Sequence, residues 1–316
     1  MPLTLQQYAA YLDTRKDLPW PAPQPVQRPR ARPHLVRLPE VRCVLWNVYG
    51  TLLAIPGGEL YFEHPQPFVM KVALDKAIGE FKMWSSMSRK PGQPAEYLLQ
   101  IYQQVLREHG FAPPGERNPE VPSDQLWVAI LKKLLQKDYK FDVGFYGSLN
   151  EFAAKVAYFF HSSLQPTAAQ DGAAAALAHV AGRGLDQGLL ADAQCFTAVQ
   201  LQRGLAAQDP EADLGRLLTE GLNTLSYEVR ARKPAERLFR QALATLGARG
   251  IETNQVLHVG SRIQQDLIPA RRMGMRTALF AGDRDSLQAT PEQLKDPVSR
   301  PDVMLTELDQ IAEVVA

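Results

Sequence analysis

At 316 residues, 45% hydrophobic and 22% charged, the chain holds enough apolar material for a sizeable core plus one inserted unit. Its formal net charge of +1 gives no reason to expect a nucleic acid or a membrane surface as partner. The two cysteines, Cys43 and Cys195, lie in or beside apolar stretches and suit small buried hydrophobes in a reducing compartment better than a disulfide or metal pair. No apolar run reaches the ~18–20 residues that span a bilayer, and the opening Met1-Pro-Leu-Thr-Leu-Gln-Gln lacks a signal-peptide layout, so the expected location is the cytoplasm.

Residues 3–14 can form a short amphipathic helix with Leu5, Tyr8, Ala9 and Leu12 on one face. From Leu18 to Pro39 the composition changes: seven of the 24 prolines fall there, with Arg28, Arg30, Arg32 and Arg37. Proline lacks a donor and disfavours αR for its predecessor, so an extended or polyproline II path is expected. Residues 1–40 are thus a Pro/Arg-rich extension, either a basic arm that docks a protein partner or a solvated wrap.

Val41-Arg-Cys-Val-Leu-Trp is a β-branched, apolar run of the kind that makes a buried central strand. It ends at Asn47-Val-Tyr-Gly50, where Gly50 permits a sharp turn that presents a polar side chain. Residues 60–164 are predicted to be mostly helical, over Pro67–Met83, Pro94–His109, Ser123–Lys137 and Ser148–Phe160, with Pro/Gly-rich turns at 90–94 and 112–116. That stretch is too long for a simple crossover and forms a separate helical lid.

Strand–helix alternation then resumes. Helices are expected at Thr167–Ala181, 193–207, Ala235–Leu246 and Asp266–Met273, the last closed by Gly274. Strands are expected at 184–192, Leu222–Leu225, Gln255–Val259, Met275–Phe280 and Val303–Leu305. The order implies a doubly wound parallel α/β sheet, Rossmann-like, built from residues 41–59 and 165–316, with a helical cap inserted between them.

Four stretches sit at strand ends, where open α/β sheets place their ligands. They are Asn47-Val-Tyr-Gly-Thr-Leu-Leu, Leu189-Leu-Ala-Asp-Ala-Gln194, Arg232-Lys-Pro-Ala-Glu236, and Leu257-His-Val-Gly-Ser-Arg-Ile-Gln-Gln-Asp-Leu-Ile-Pro-Ala-Arg-Arg-Met-Gly-Met275. In this order they resemble the motifs of the haloacid dehalogenase-like (HAD) hydrolases over roughly residues 41–310. The resemblance implies a HAD-like core, a substrate-selecting helical cap, and phosphatase or 2-haloacid dehalogenase chemistry with Mg²⁺ if the protein is active.

Carried over position by position, the implied chemistry is depleted. The nucleophile position falls on Asn47, whose carboxamide is neutral and weakly nucleophilic. Tyr49 stands where phosphatases place an acid/base Asp; it can donate a hydrogen bond or simply pack beneath the lid. Thr51 follows in the same loop as a candidate ligand contact. Ala191 replaces the hydroxyl residue of the second motif, and Asp192 beside it is either a carboxylate for the site or a helix cap. Lys233 matches the third motif, against the alternative of a solvated surface lysine. Ser261 and Asp266 match the fourth, with Ser261 in place of an acid, as in the dehalogenase branch.

Asp266 is then the one recognisable acidic metal ligand. Each missing carboxylate at ~4 Å removes on the order of a few kcal/mol at an effective dielectric near 20. The expectation is therefore no resident cofactor, a small anionic or phosphorylated ligand near Lys233, and little or no turnover. An active hydrolase in which another carboxylate stands in is the alternative. His258 is expected to be a core histidine, Gly282-Asp-Arg-Asp285 is either a pocket rim or a turn, and His64, His109, His161 and His179 show no zinc-ligand spacing with Cys.

Overall fold

The computed structural model describes residues 1–87, 92–108, 111 and 113–315. His109, Ala112 and the first two residues of the expected 90–94 turn lie outside them. The core is a six-stranded sheet in which every neighbouring pair is parallel. Its strands are β1 (Cys43–Trp46), β4 (Asp186–Ala191), β5 (Thr224–Leu225), β6 (Val256–Gly260), β7 (Arg276–Phe280) and β8 (Val303–Leu305), in the order β5-β4-β1-β6-β7-β8. Strand β1 sits inside the sheet between β4 and β6, which is why its run is apolar on both faces. Val44 and Trp46 enter one core cluster with Leu257 and Val259, while Cys43 and Leu45 enter the other with Leu238 and Phe239.

A two-stranded antiparallel ribbon, β2 (Leu53–Ala54) with β3 (Ala168–Ala169), marks where the chain leaves the sheet and returns to it. Between them lie the cap helices Pro67–Glu80, Pro94–Glu108, Ser123–Leu135, Val143–Tyr146 and Leu149–Leu164. They share a cluster of their own, with Trp127, Phe152, Phe159 and Phe160 fully buried.

The helix Leu5–Thr14 carries a Thr4–Gln7 capping box and delivers Tyr8, Ala9 and Leu12 into the cap cluster rather than into the sheet. The Pro/Arg stretch then runs extended along the molecule. Trp20 packs edge-on against Phe159 of the cap, with ring centroids 5.2 Å apart. Arg28 pairs with Glu307 at 2.6 Å, and His34 exchanges two backbone hydrogen bonds of 2.9 Å with Met304 on β8.

Three expected elements differ. The Ala-rich helix starts at Ala173 rather than Thr167, because residues 168–169 are drawn into the ribbon with β2 and Gly172 turns the chain with φ +78°. Helix propensity loses to a strand pairing that brings the cap's end back to the sheet. The helix expected from 193 starts at Thr197, since residues 193–196 form a turn. The Gln194 side chain there holds the cap through Ser123 N–H and Val121 C=O. The helix expected from Asp266 begins as a wide turn over Ile263–Leu267 before Ile268–Arg272, where Pro269 can offer no donor. Among the described residues no helix is long and apolar enough to cross a membrane.

Candidate active site

The carboxyl ends of β1, β4 and β6 meet beneath the cap, and the candidate residues converge there. Asn47 follows β1 and is 1% exposed. Its Oδ1 accepts a hydrogen bond from Lys233 Nζ at 3.0 Å. Its Nδ2 donates to the Tyr49 carbonyl at 2.8 Å and to Thr51 Oγ1 at 3.4 Å. The amide orientation follows from these partners: a lysine offers only protons, and a carbonyl only accepts them. Gly50 makes the loop possible. It has φ +78°, and an added Cβ would lie 2.8 Å from Gly58 O and 2.9 Å from Ser261 Oγ.

Lys233 is buried and no surface lysine. It also donates to Asp266 Oδ1 at 2.8 Å and lies 3.3 Å from His258 Nε2. Burial lowers the Lys233 pKa, and the nearby Asp266 charge opposes that shift. Burial works against Asp266 ionising as well, but Arg262 and Lys233 outweigh it and hold the carboxyl well below its ordinary range. His258, as expected, is a core residue. Burial and then Lys233 push it down to about 3, so it stays neutral, donating from Nδ1 to Leu45 O at 2.9 Å and accepting at Nε2.

The residue that sequence reasoning missed is Arg262. Its side chain is 4% exposed and bridges both remaining acids. Nη2 donates to Asp192 Oδ2 at 2.9 Å and to Asp266 Oδ1 at 3.1 Å, and Nε donates to Asp266 Oδ2 at 3.3 Å. Its backbone N–H takes Asp266 Oδ2 at 3.0 Å. The other Asp192 oxygen accepts the Lys233 backbone N–H at 2.7 Å, so Asp192 belongs to the site and is not a helix cap. The available signal was the i, i+4 spacing of Arg262 and Asp266 within one motif.

Two cap-side acids complete the ring. Glu59 pairs with Arg232 at 3.3 Å and stands 3.8 Å from Arg262. Glu120 comes from the loop before the helix Ser123–Leu135. It is 3% exposed and accepts from Ser226 Oγ at 2.5 Å and Val121 N–H at 3.0 Å. Burial, then the Asp192 charge, raise its carboxyl to about 7. Nothing near Glu120 in sequence announces this, because it reaches the site only through the cap's folding.

The remaining candidates are placed as follows. The Tyr49 ring borders the recess, but its hydroxyl turns to Thr197 Oγ1 at 2.9 Å and Gln200 Oε1 at 2.6 Å, and burial raises its pKa. Ala191 is fully buried on β4 and offers no side-chain donor; two residues on, the Ala193 backbone N–H donates to Ser226 Oγ at 2.8 Å. Ser261 Oγ is buried against Gly50, without a hydrogen-bond partner among the described residues. Residues 282–285 form a turn in which Asp283 accepts from Gln170 at 3.2 Å and from Ser286 at 2.5 Å. The free space left between Asn47, Asp192, Arg262 and the cap is about 20 Å³, room for roughly one water molecule.

Comparison with known proteins agrees with this architecture. Residues 230–311 match the family model described as HAD-hydrolase-like. A 2-haloacid dehalogenase from Pseudomonas syringae pv. Tomato DC3000 superposes with a TM-score of 0.52 at 16% identity, over 86% of this chain and 97% of that one. A HAD phosphatase from Thermococcus onnurineus gives 0.45 at 16%, over 86% and 96%. The Bacillus subtilis protein YfnB, described as bound to magnesium, gives 0.42 at 15%, over 86% and 96%. No curated protein matches. The fold is therefore that of the haloacid dehalogenase-like hydrolases, and residues 230–311 match the model of that class.

The Mg²⁺ that the sequence resemblance implies does not fit the donor set. A divalent hard cation needs free carboxylate oxygens. Both oxygens of Asp266 are engaged by Lys233 and Arg262, and both of Asp192 by Arg262 and a backbone N–H. Among the described residues no group of three or more His, Cys, Asp or Glu is arranged to hold a metal.

Proposed function

We propose that this chain is a non-catalytic member of the HAD-like class, acting by binding rather than by turnover. The observation that carries this reading is the Asn47 carboxamide. Its oxygen is capped by Lys233 and its nitrogen is spent on its own loop. A neutral amide so held cannot open a covalent route, and the neighbouring carboxylates Asp192 and Asp266 are both paired with Arg262. Charge bookkeeping supports the same conclusion. Three carboxylates, Glu59, Asp192 and Asp266, face three cations, Arg232, Lys233 and Arg262. A phosphate arriving at Lys233 would have to break an existing pair.

The likeness to a dehalogenase fold, together with Tyr49 and Ser261, favours a second reading as an active hydrolase. Glu120 would then be the substitute acid, being the carboxyl on the recess with no cation bonded to it. One experiment separates the readings. Wild type, Asn47→Asp, and Asn47→Asp/Arg262→Ala are assayed with p-nitrophenyl phosphate plus Mg²⁺ and with 2-chloropropionate, and their melting is followed with and without Mg²⁺. We expect no turnover by wild type, no Mg²⁺ response in Asn47→Asp, and Mg²⁺-dependent stabilisation only in the double variant. Wild-type turnover that vanishes in Glu120→Gln would establish the hydrolase instead.

A further inference from the structure

A second open space lies at the outer edge of the sheet, beyond strand β8. Strand β8 is the last strand, and the arm crosses it held at two points. His34 pairs with Met304, and Leu38 N–H donates to Val314 O at 2.8 Å. Between these points Val36 is 40% exposed. A cavity of about 520 Å³ opens there, bounded by the arm, the Arg300–Asp302 turn and the helices Ile268–Arg272 and Pro291–Lys295. That volume lies within the range of small-molecule sites, about 300–1,000 Å³.

Its lining has two characters. Val36, Leu294 and Met304 give apolar surface, while Arg271, Arg276 and Arg300 stand around it. Two of these guanidiniums are already engaged. Arg276 pairs with Glu40 at 2.8 Å, and Arg271 donates to the Arg300 carbonyl at 2.8 Å and stands 3.6 Å from Asp302. Asp302 is itself fixed by Thr277 N–H and Oγ1, at 2.8 and 2.9 Å. The Arg300 guanidinium has no hydrogen bond or ion pair among the described residues, and Arg276 Nε is buried without a partner. Three guanidiniums against two carboxylates leave one positive charge over an apolar floor.

We infer that this groove binds a small organic carboxylate with an apolar body, its head group on Arg300 and its tail against Val36 and Met304. A single surplus charge suits a monoanion. A phosphate dianion would overcompensate it, and an acidic peptide would meet Asp302 and Glu40 as well. The arm is what makes the site, because without residues 34–38 the groove loses its outer wall.

The test is calorimetric titration of the full chain with octanoate, 1-octanol and a short acidic peptide, on wild type, Arg300→Gln and Val36→Trp. We expect saturable octanoate binding, weakened about tenfold by Arg300→Gln through loss of a charge-assisted hydrogen bond. Val36→Trp, which fills the groove, should abolish it, with melting temperatures unchanged in both variants. Absence of saturable binding, equal binding of 1-octanol, binding undiminished in both variants, or capture of the peptide in place of octanoate would each overturn the proposal.

Discussion

The recess under the cap and the groove at the β8 edge are opposites. In the recess, six charged side chains from three sheet strand-ends and the cap's base are paired with one another, and about 20 Å³ stays free. At the groove, one guanidinium is unclaimed and about 520 Å³ is open. The parallel sheet provides a crevice where β1, β4 and β6 end, whatever the sequence. Side chains decide whether that crevice is a workplace or a filled joint. Here an arginine, Arg262, lies across the two acids a metal would have needed, while an extension outside the α/β pattern builds the roomier site.

The contrast can be broken most forcefully at Arg262. Arg262→Ala strips buried Asp266 of one of its two cations and leaves Asp192 only a backbone donor. We expect a loss of about 3–5 kcal/mol in urea denaturation, the usual cost of orphaning a buried charge. A loss below about 1 kcal/mol would mean the recess is wet and its pairs are weak.

Glu120 offers a somewhat smaller effect. Its folded carboxyl titrates near 7 instead of the ordinary 4.5, so the fold prefers the neutral acid. Its contribution is complete below pH 4.5 and is lost as pH rises through 7, on the order of 3 kcal/mol in all. Stability measured from pH 5 to 8 should therefore fall more steeply in wild type than in Glu120→Gln; parallel curves would remove Glu120 from the balance.

The smallest effect belongs to the arm. His34→Pro deletes one of the two hydrogen bonds to Met304, at a cost of about 1 kcal/mol. Octanoate binding should weaken while the behaviour of the recess toward Mg²⁺ stays as in wild type. Coupled changes at both places would show that the two regions are not independent.

The fold was largely legible because its strongest signals are local. The apolar runs at 43–46 and 256–260 could only be buried strands, and four motifs stood in order at strand ends. Within the site, Asn47, Lys233 and Asp266 do come together, as their motif positions implied. What stayed hidden depended on contacts between segments. Residues 168–169 have the composition of a helix and become strand only because Leu53 and Ala54 wait opposite. The raised pKa of Glu120 exists only because the cap packs over Asp192, and the pairing of Glu59 only because its loop meets Arg232. Arg262 was visible in its motif, but its role depends on Asp192, which comes from another strand end.

The short β2–β3 ribbon has a further consequence. Ala54 and Ala168 face each other across it, so the entire helical lid is topologically the loop of a hairpin. Closing a longer loop adds entropy only logarithmically, which lets such an insertion grow or shrink without taxing the sheet beneath it. Grafting a tight turn between those two alanines is accordingly a natural route to a lidless core, although the first helix, with Tyr8, Ala9 and Leu12, would then lose the surface it rests on.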